Sequence, residues 1–111
     1  MRTIKNWRGE PVECYQDADL EELMEFFYEA EHLWIDEWRR QGSTDEGSCT
    51  GGKGIRVNYV APRARTINLK TVVRAPGVQG NLSAARSAYI AMDYLLDQGV
   101  TNPTYYDGWM D

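Results

Sequence analysis

The chain is poor in the residues that small catalytic and small secreted proteins depend on. Its 111 residues contain one histidine, His32, and two cysteines, Cys14 and Cys49. Two thiols cannot build the disulfide framework that holds small secreted domains together, so both are expected to be reduced. One imidazole, with neither cysteine at ligand spacing to another, leaves too few soft or imidazole donors for a metal centre, and no cofactor is expected. No apolar stretch is long enough to cross a bilayer or to form the apolar core of a signal peptide. The expected location is therefore the cytoplasm of the producing or host cell, away from membranes.

Acids are absent over a long interval as well. Residues 47–92 carry Lys53, Arg56, Arg63, Arg65, Lys70, Arg74 and Arg86 without an Asp or Glu, a block of +7. Residues 10–46 hold thirteen acids against Arg39 and Arg40, a block of −11. With +3 over residues 1–9 and −4 from residue 93 onward, the total is only −5. Segregation of this size implies a partner for the charge: another part of the fold, a second copy of the chain, or a ligand.

What is present suits a folded domain. Hydrophobic residues make up 42% and aromatics 12%, enough for one modest core and too little chain for a second. Ile4-Lys5-Asn6-Trp7 and Val12-Glu13-Cys14-Tyr15 flank a turn-like Arg8-Gly9-Glu10-Pro11, so residues 1–15 read as a hairpin or extended arm. Leu20, Leu23, Met24, Phe27, Ala30, Trp34 and Trp38 recur at helical spacing. Asp19 and Glu22 suit a capping box at the start of that helix, and Gly42 suits its stop. The glycine- and serine-rich residues 42–54 read as a flexible loop.

Two strands are expected over Ile55 to Val60 and Arg65 to Arg74. Alternation puts Ile55, Val57 and Tyr59 on one face together with Ile67, Leu69, Thr71 and Val73. A second helix follows a cap at Asn81 or Ser83, with Leu82, Ala85, Tyr89, Met92 and Leu96 as its apolar stripe and Gly99 as its stop. Ala84, Ala85, Ala88 and Ala91 would allow a neighbour to approach closely. Residues 100–111 read as an irregular aromatic tail. The expected architecture is a single two-layer α+β domain, a small antiparallel β-sheet with two α-helices packed on one face. The order helix, strands, helix over about residues 19–98 loosely resembles a double-stranded-RNA-binding domain. It lacks the paired lysines which that family places at the start of its second helix, and the resemblance implies topology without function.

No catalytic constellation emerges. Gly47 to Lys53 fits the letters of a phosphate-cradling loop, but Gly54 replaces the Ser or Thr, an acidic stretch precedes it and a strand follows. Glu29-x-x-His32 is half of a di-iron carboxylate pattern whose other half is missing. On the long helix, Glu21, Glu22, Glu25, Glu29, His32 and Asp36 fall in one polar sector, where His32 would pair with its acidic neighbours. Phe26, Tyr28, Leu33 and Ile35 flank an unusually wide apolar sector.

Two functional expectations follow. The first is a non-enzymatic protein that binds stoichiometrically, as an inhibitor or adaptor, to a protein partner with a basic surface. Glu21, Glu25, Tyr28, Glu29, His32, Asp36, Tyr105, Tyr106 and Trp109 would form the interface, or the seam of a homo-oligomer. Small acidic proteins of this type include phage-encoded inhibitors of host or defence complexes. The alternative is an anion site for a nucleotide or nucleic-acid phosphate, built from Lys53, Arg56, Lys70, Arg74, Gly77, Gly80, Asn81 and Arg86 around a glycine-bearing turn at a helix N-terminus.

Overall fold

The computed structural model describes residues 1–42, 50–76 and 82–109, with backbone alone at 50–53, 82–83 and 107–109. Elements follow the order β1 (Arg2–Lys5), β2 (Pro11–Cys14), α1 (Asp17–Glu22), α2 (Met24–Arg40), β3 (Thr50–Tyr59), β4 (Asn68–Arg74), α3 (Leu82–Asp97) and β5 (Thr104–Trp109). The class is α+β, with a two-stranded antiparallel sheet β1-β2 and a three-stranded antiparallel sheet in the order β4-β3-β5.

The first fifteen residues form a hairpin hooked onto the larger sheet. Asn6 closes its turn: the Asn6 N–H donates to the Glu10 carbonyl, and the Asn6 Oδ1 accepts from the N–H groups of Arg8 and Glu10, each at 2.9 Å. Gly9 takes the left-handed conformation, φ +78°, that this turn requires. Beyond β2 the chain bridges β3 in parallel, with the Tyr15 N–H donating to the Asn58 carbonyl at 2.8 Å and the Val60 N–H to the Tyr15 carbonyl at 3.0 Å. Ile4, Cys14 and Val60 are buried together under Val12, Ala64 and Ile67.

The expected first helix is two helices. The cap is Gln16 rather than Asp19, and Asp19 serves as the third helical residue, its carboxylate accepting the Gln16 N–H at 2.9 Å. Glu22 ends α1 instead of completing a box, and Leu23, at φ −95° and ψ 1°, separates α1 from α2. The apolar period survives the break, because Leu20, Phe27, Ala30 and Trp34 are all buried in one cluster. Trp38 is half-buried, and the position next to it, Glu37, goes inside.

Three corrections concern the sheet. Residues 50–54 belong to β3 rather than to a loop, and only 43–49 of the glycine-rich stretch lie outside the described residues. Thr50 pairs with Trp109 and Lys53 with Asp107, so Gly51 and Gly52 supply the extra residue of a bulge. The expected tail is instead the strand β5, whose Tyr105 and Tyr106 pair with Ile55 and Gly54. The second expected strand begins only at Asn68, and it carries another bulge: Val73 pairs with Ile55 but Thr71 pairs with Arg56. The extra residue, Val72, inverts the faces of everything before it. Val73 is buried as expected, whereas Leu69 is 56% exposed and Lys70 moves to the helix side of the sheet.

The stripe of α3 is also displaced. Ala84, Ala88, Ala91 and Leu95 are buried, while Tyr89 and Leu96 are exposed. The expected close approach does occur on this alanine face: the Trp34 Nε1–H donates to the Ala84 carbonyl at 2.9 Å inside the core. An indole occupies the space that larger side chains on α3 would need. The helix stops at Gly99, φ +84°, with the Gly99 N–H bonded to the Leu96 carbonyl and the Val100 N–H to the Leu95 carbonyl, both at 3.0 Å. Val100 and Leu95 are buried in the same cluster, the apolar contact that accompanies this type of stop.

Candidate functional site

A groove of about 450 Å³ runs between the two N-terminal helices and the edge strand β4. Leu20 and Phe27, both buried, anchor its helical wall through the apolar period of α1 and α2. Met24, four residues beyond Leu20, and Tyr28, four beyond Met24, remain 44% and 57% exposed on the groove. Val72 closes the strand side, brought there by the bulge.

Charge in the groove is not balanced. The Tyr59 hydroxyl donates to Asp17 Oδ1 at 2.7 Å, and the bond to this carboxylate raises the Tyr59 pKa above the usual phenol value. Lys70 Nζ lies 4.0 Å from the same carboxylate and 4.5 Å from the Tyr59 ring centroid. Lys70 is thus engaged with Asp17 and Tyr59, and Glu21 on the rim makes no ion pair among the described residues. Glu25, Glu29, His32 and Asp36 continue along α2, all exposed. The expected pairing of His32 does not occur: among the described residues no ion pair joins it to Glu29 or Asp36.

The tail aromatics divide. Tyr105 is partly buried against the core, edge-on to Trp34 with centroids 6.1 Å apart. Tyr106 lies on the opposite face of the sheet beneath the Arg56 guanidinium, 3.2 Å from the ring centroid. The side chain of Trp109 lies outside the described residues.

Of the anion candidates, register places Arg56 and Arg74 on the outer sheet face, and Lys70 on the other. Arg86 is exposed on α3. Gly77, Gly80 and Asn81, with the side chain of Lys53, lie outside the described residues. Thr50 to Lys53 are strand backbone, so this half of the phosphate-loop letters is ladder. Cys14 is fully buried, which pushes its thiol pKa up, and Cys49 lies outside the described residues. Among the described residues no cluster of three His, Cys, Asp or Glu side chains converges as a metal site requires, and no helix is long and apolar enough to cross a membrane.

Two features escaped the sequence reading. Glu37 is only 6% exposed and accepts from Arg40 Nε at 2.6 Å, Gln41 Nε2 at 2.8 Å and the Tyr89 hydroxyl at 2.9 Å. Hydrogen bonds from Arg40, Gln41 and Tyr89 hold its carboxyl down at about 2 against the opposing effect of burial. The spacing of Glu37 and Arg40 was a visible signal, but the reach of Tyr89 from α3 was not. Trp7 is the second: at the hairpin tip it is 86% exposed, with the Arg8 guanidinium 4.6 Å from its ring and a cleft formed with Lys5, Asn6, Arg65, Thr66 and Ile67.

Comparison of the chain with protein-family models, curated proteins and solved structures yields no match, and the groove and the hairpin tip are therefore interpreted from their own geometry.

Proposed function

We propose that this chain is a stoichiometric protein-binding module whose α1–α2 groove receives a cationic segment of a partner carrying an apolar or aromatic anchor. The observation that carries this reading is the pair Met24 and Tyr28, half-exposed in a groove whose rim carboxylate, Glu21, makes no ion pair among the described residues. A flexible thioether beside a phenol offers adaptable apolar contact. A Lys or Arg next to the anchor would meet Glu21 and the exposed Glu25. Such contacts speed encounter and select against acidic partners more than they add affinity. An inhibitor or adaptor needs no more machinery than this.

A displayed peptide library selected on the full chain tests the proposal. Enriched peptides are expected to combine Lys or Arg with an aromatic or large aliphatic residue, and to lose binding at least about tenfold to Tyr28→Ala or Glu21→Lys. Enrichment without such a pattern, or binding unchanged by both substitutions, would remove the groove from function.

The phosphate-binding alternative retains one supporting observation. On the outer sheet face Arg56 stacks on Tyr106, its Nε–H has no hydrogen-bond partner among the described residues, and Arg74 shares the face. A guanidinium seated on an aromatic ring is a common element of single-strand nucleic-acid surfaces. Retention of an oligonucleotide at moderate salt, lost with Arg56→Ala, would favour it.

A further inference from the structure

The hairpin tip has the chemistry that the groove calls for. Trp7 is 86% exposed, and its neighbours Lys5, Arg8 and Arg65 are all cations. The tip is also rigid: Asn6 closes it with hydrogen bonds at 2.9 Å to Arg8 and Glu10, and Gly9 donates to the Asn6 carbonyl at 2.9 Å. An aromatic side chain on a turn fixed in this way loses little conformational freedom when it docks. Tryptophan and arginine are both enriched at the energetic centres of interfaces.

From these features we propose that the Trp7 tip of one molecule inserts into the α1–α2 groove of a second copy, in a head-to-tail contact. The inference rests on the groove reading above and names its occupant. The groove supplies Met24, Tyr28 and Phe27 to the indole, with Glu21 and the adjacent Glu25 to Lys5 and Arg8. Its volume of about 450 Å³ lies within the range of sites that enclose a drug-sized group, about 300–1,000 Å³.

A molecule cannot satisfy its own groove in this way while its hairpin stays paired. The open end of the hairpin leads directly into α1, the turn lies at the other end of both strands, and the tip rests against Arg65 to Ile67. Charge points the same way. Among the described residues Lys70–Asp17 is the one ion pair that joins the acidic block to the basic block. Because tip and groove are different surfaces, the contact is heterologous: it closes into a ring or propagates, according to the rotation between copies.

Sedimentation of the full chain from micromolar to millimolar concentration tests this. Mass is expected to rise above the monomer with concentration, and the association to weaken in high salt. Trp7→Ala and Tyr28→Ala should each weaken self-association at least about tenfold while leaving the circular-dichroism spectrum unchanged. The decisive experiment mixes the two variants. Trp7→Ala keeps an intact groove and Tyr28→Ala an intact tip, so the mixture should form one-to-one dimers that neither variant forms alone. A wild type that stays monomeric to millimolar concentration, or a mixture that stays monomeric, overturns the proposal; so does association that survives both substitutions. If library peptides still bind the groove while the chain is monomeric, the second-copy proposal fails and the groove reading stands. If neither peptides nor a second copy engage Tyr28, both fail. Binding of a single-stranded oligonucleotide that is lost with Trp7→Ala, in a chain that does not self-associate, would assign the tip to nucleic acid instead.

Discussion

At the scale of single residues, Glu37 is where burial and charge meet. An ionised carboxylate inside a helix pair is tolerated only when its oxygens are fully bonded, and here donors from Arg40, Gln41 and Tyr89 surround it. Its carboxyl pKa falls from 4.5 to about 2, so the folded state holds the ionised form more strongly than the unfolded chain does. The stability this confers is present above about pH 4.5 and is lost as pH falls toward 2. Glu37→Gln is expected to flatten the acid limb of a urea-midpoint profile between those values, with a lower midpoint at pH 7. An unchanged acid limb would mean that the cluster does not couple to folding. Tyr89→Phe should act in the same window more weakly, because the Arg40 and Gln41 bonds remain.

Elements in this chain are specified unevenly. The helical period of α2 and the stops at Gly42 and Gly99 are legible, since one helix face and one left-handed residue are local properties. Strand faces are not local when a bulge intervenes. Val72 adds one residue to β4, and nothing in Leu-Lys-Thr-Val-Val states where the ladder slips, so simple alternation places Leu69 inside whereas it lies outside. Gly54 shows how tightly the ladder closes there, because a Cβ on it would stand 2.5 Å from the Val73 carbonyl oxygen. Gly54→Ala should therefore lower the thermal midpoint well beyond the effect of an exposed glycine substitution, and an unchanged midpoint would show that β3 and β4 are looser than this register. The strand β5 makes a parallel case. An aromatic tail free for a partner could be trimmed without consequence, but Tyr105 lies against Trp34 and pairs with Ile55. Removing residues 104–111 is expected to abolish cooperative unfolding by circular dichroism. A truncated chain with an unchanged transition would return these residues to the status of a tail.

For the whole molecule, the question posed by the segregated charge has a structural answer. Across the described residues the acidic helix face and the basic block are joined by one ion pair, Lys70 with Asp17, while Glu21, Glu25, Glu29 and Asp36 are exposed. Like charges along the exposed face of α2 repel, and among the described residues no ion pair relieves Glu21, Glu25 or Glu29. Reversal of Glu21, Glu25 and Glu29 to lysine is therefore expected to leave the thermal midpoint within a few degrees of wild type, while abolishing peptide capture in the groove. A large loss of stability would show instead that these acids are paired within the fold.

The sequence by itself determined the α+β class, the helical period of α2, the charge blocks and the scarcity of histidine and cysteine. These are properties of residues and their near neighbours, and they survive any arrangement in space. Only the tertiary structure decided that Tyr105 is a core-facing residue, that Glu37 is buried with Tyr89 as a partner, that Val72 reverses β4, and that Trp7 stands in water beside three cations. Each of these depends on which distant segment arrives opposite a residue, and neither helical nor strand periodicity contains that information.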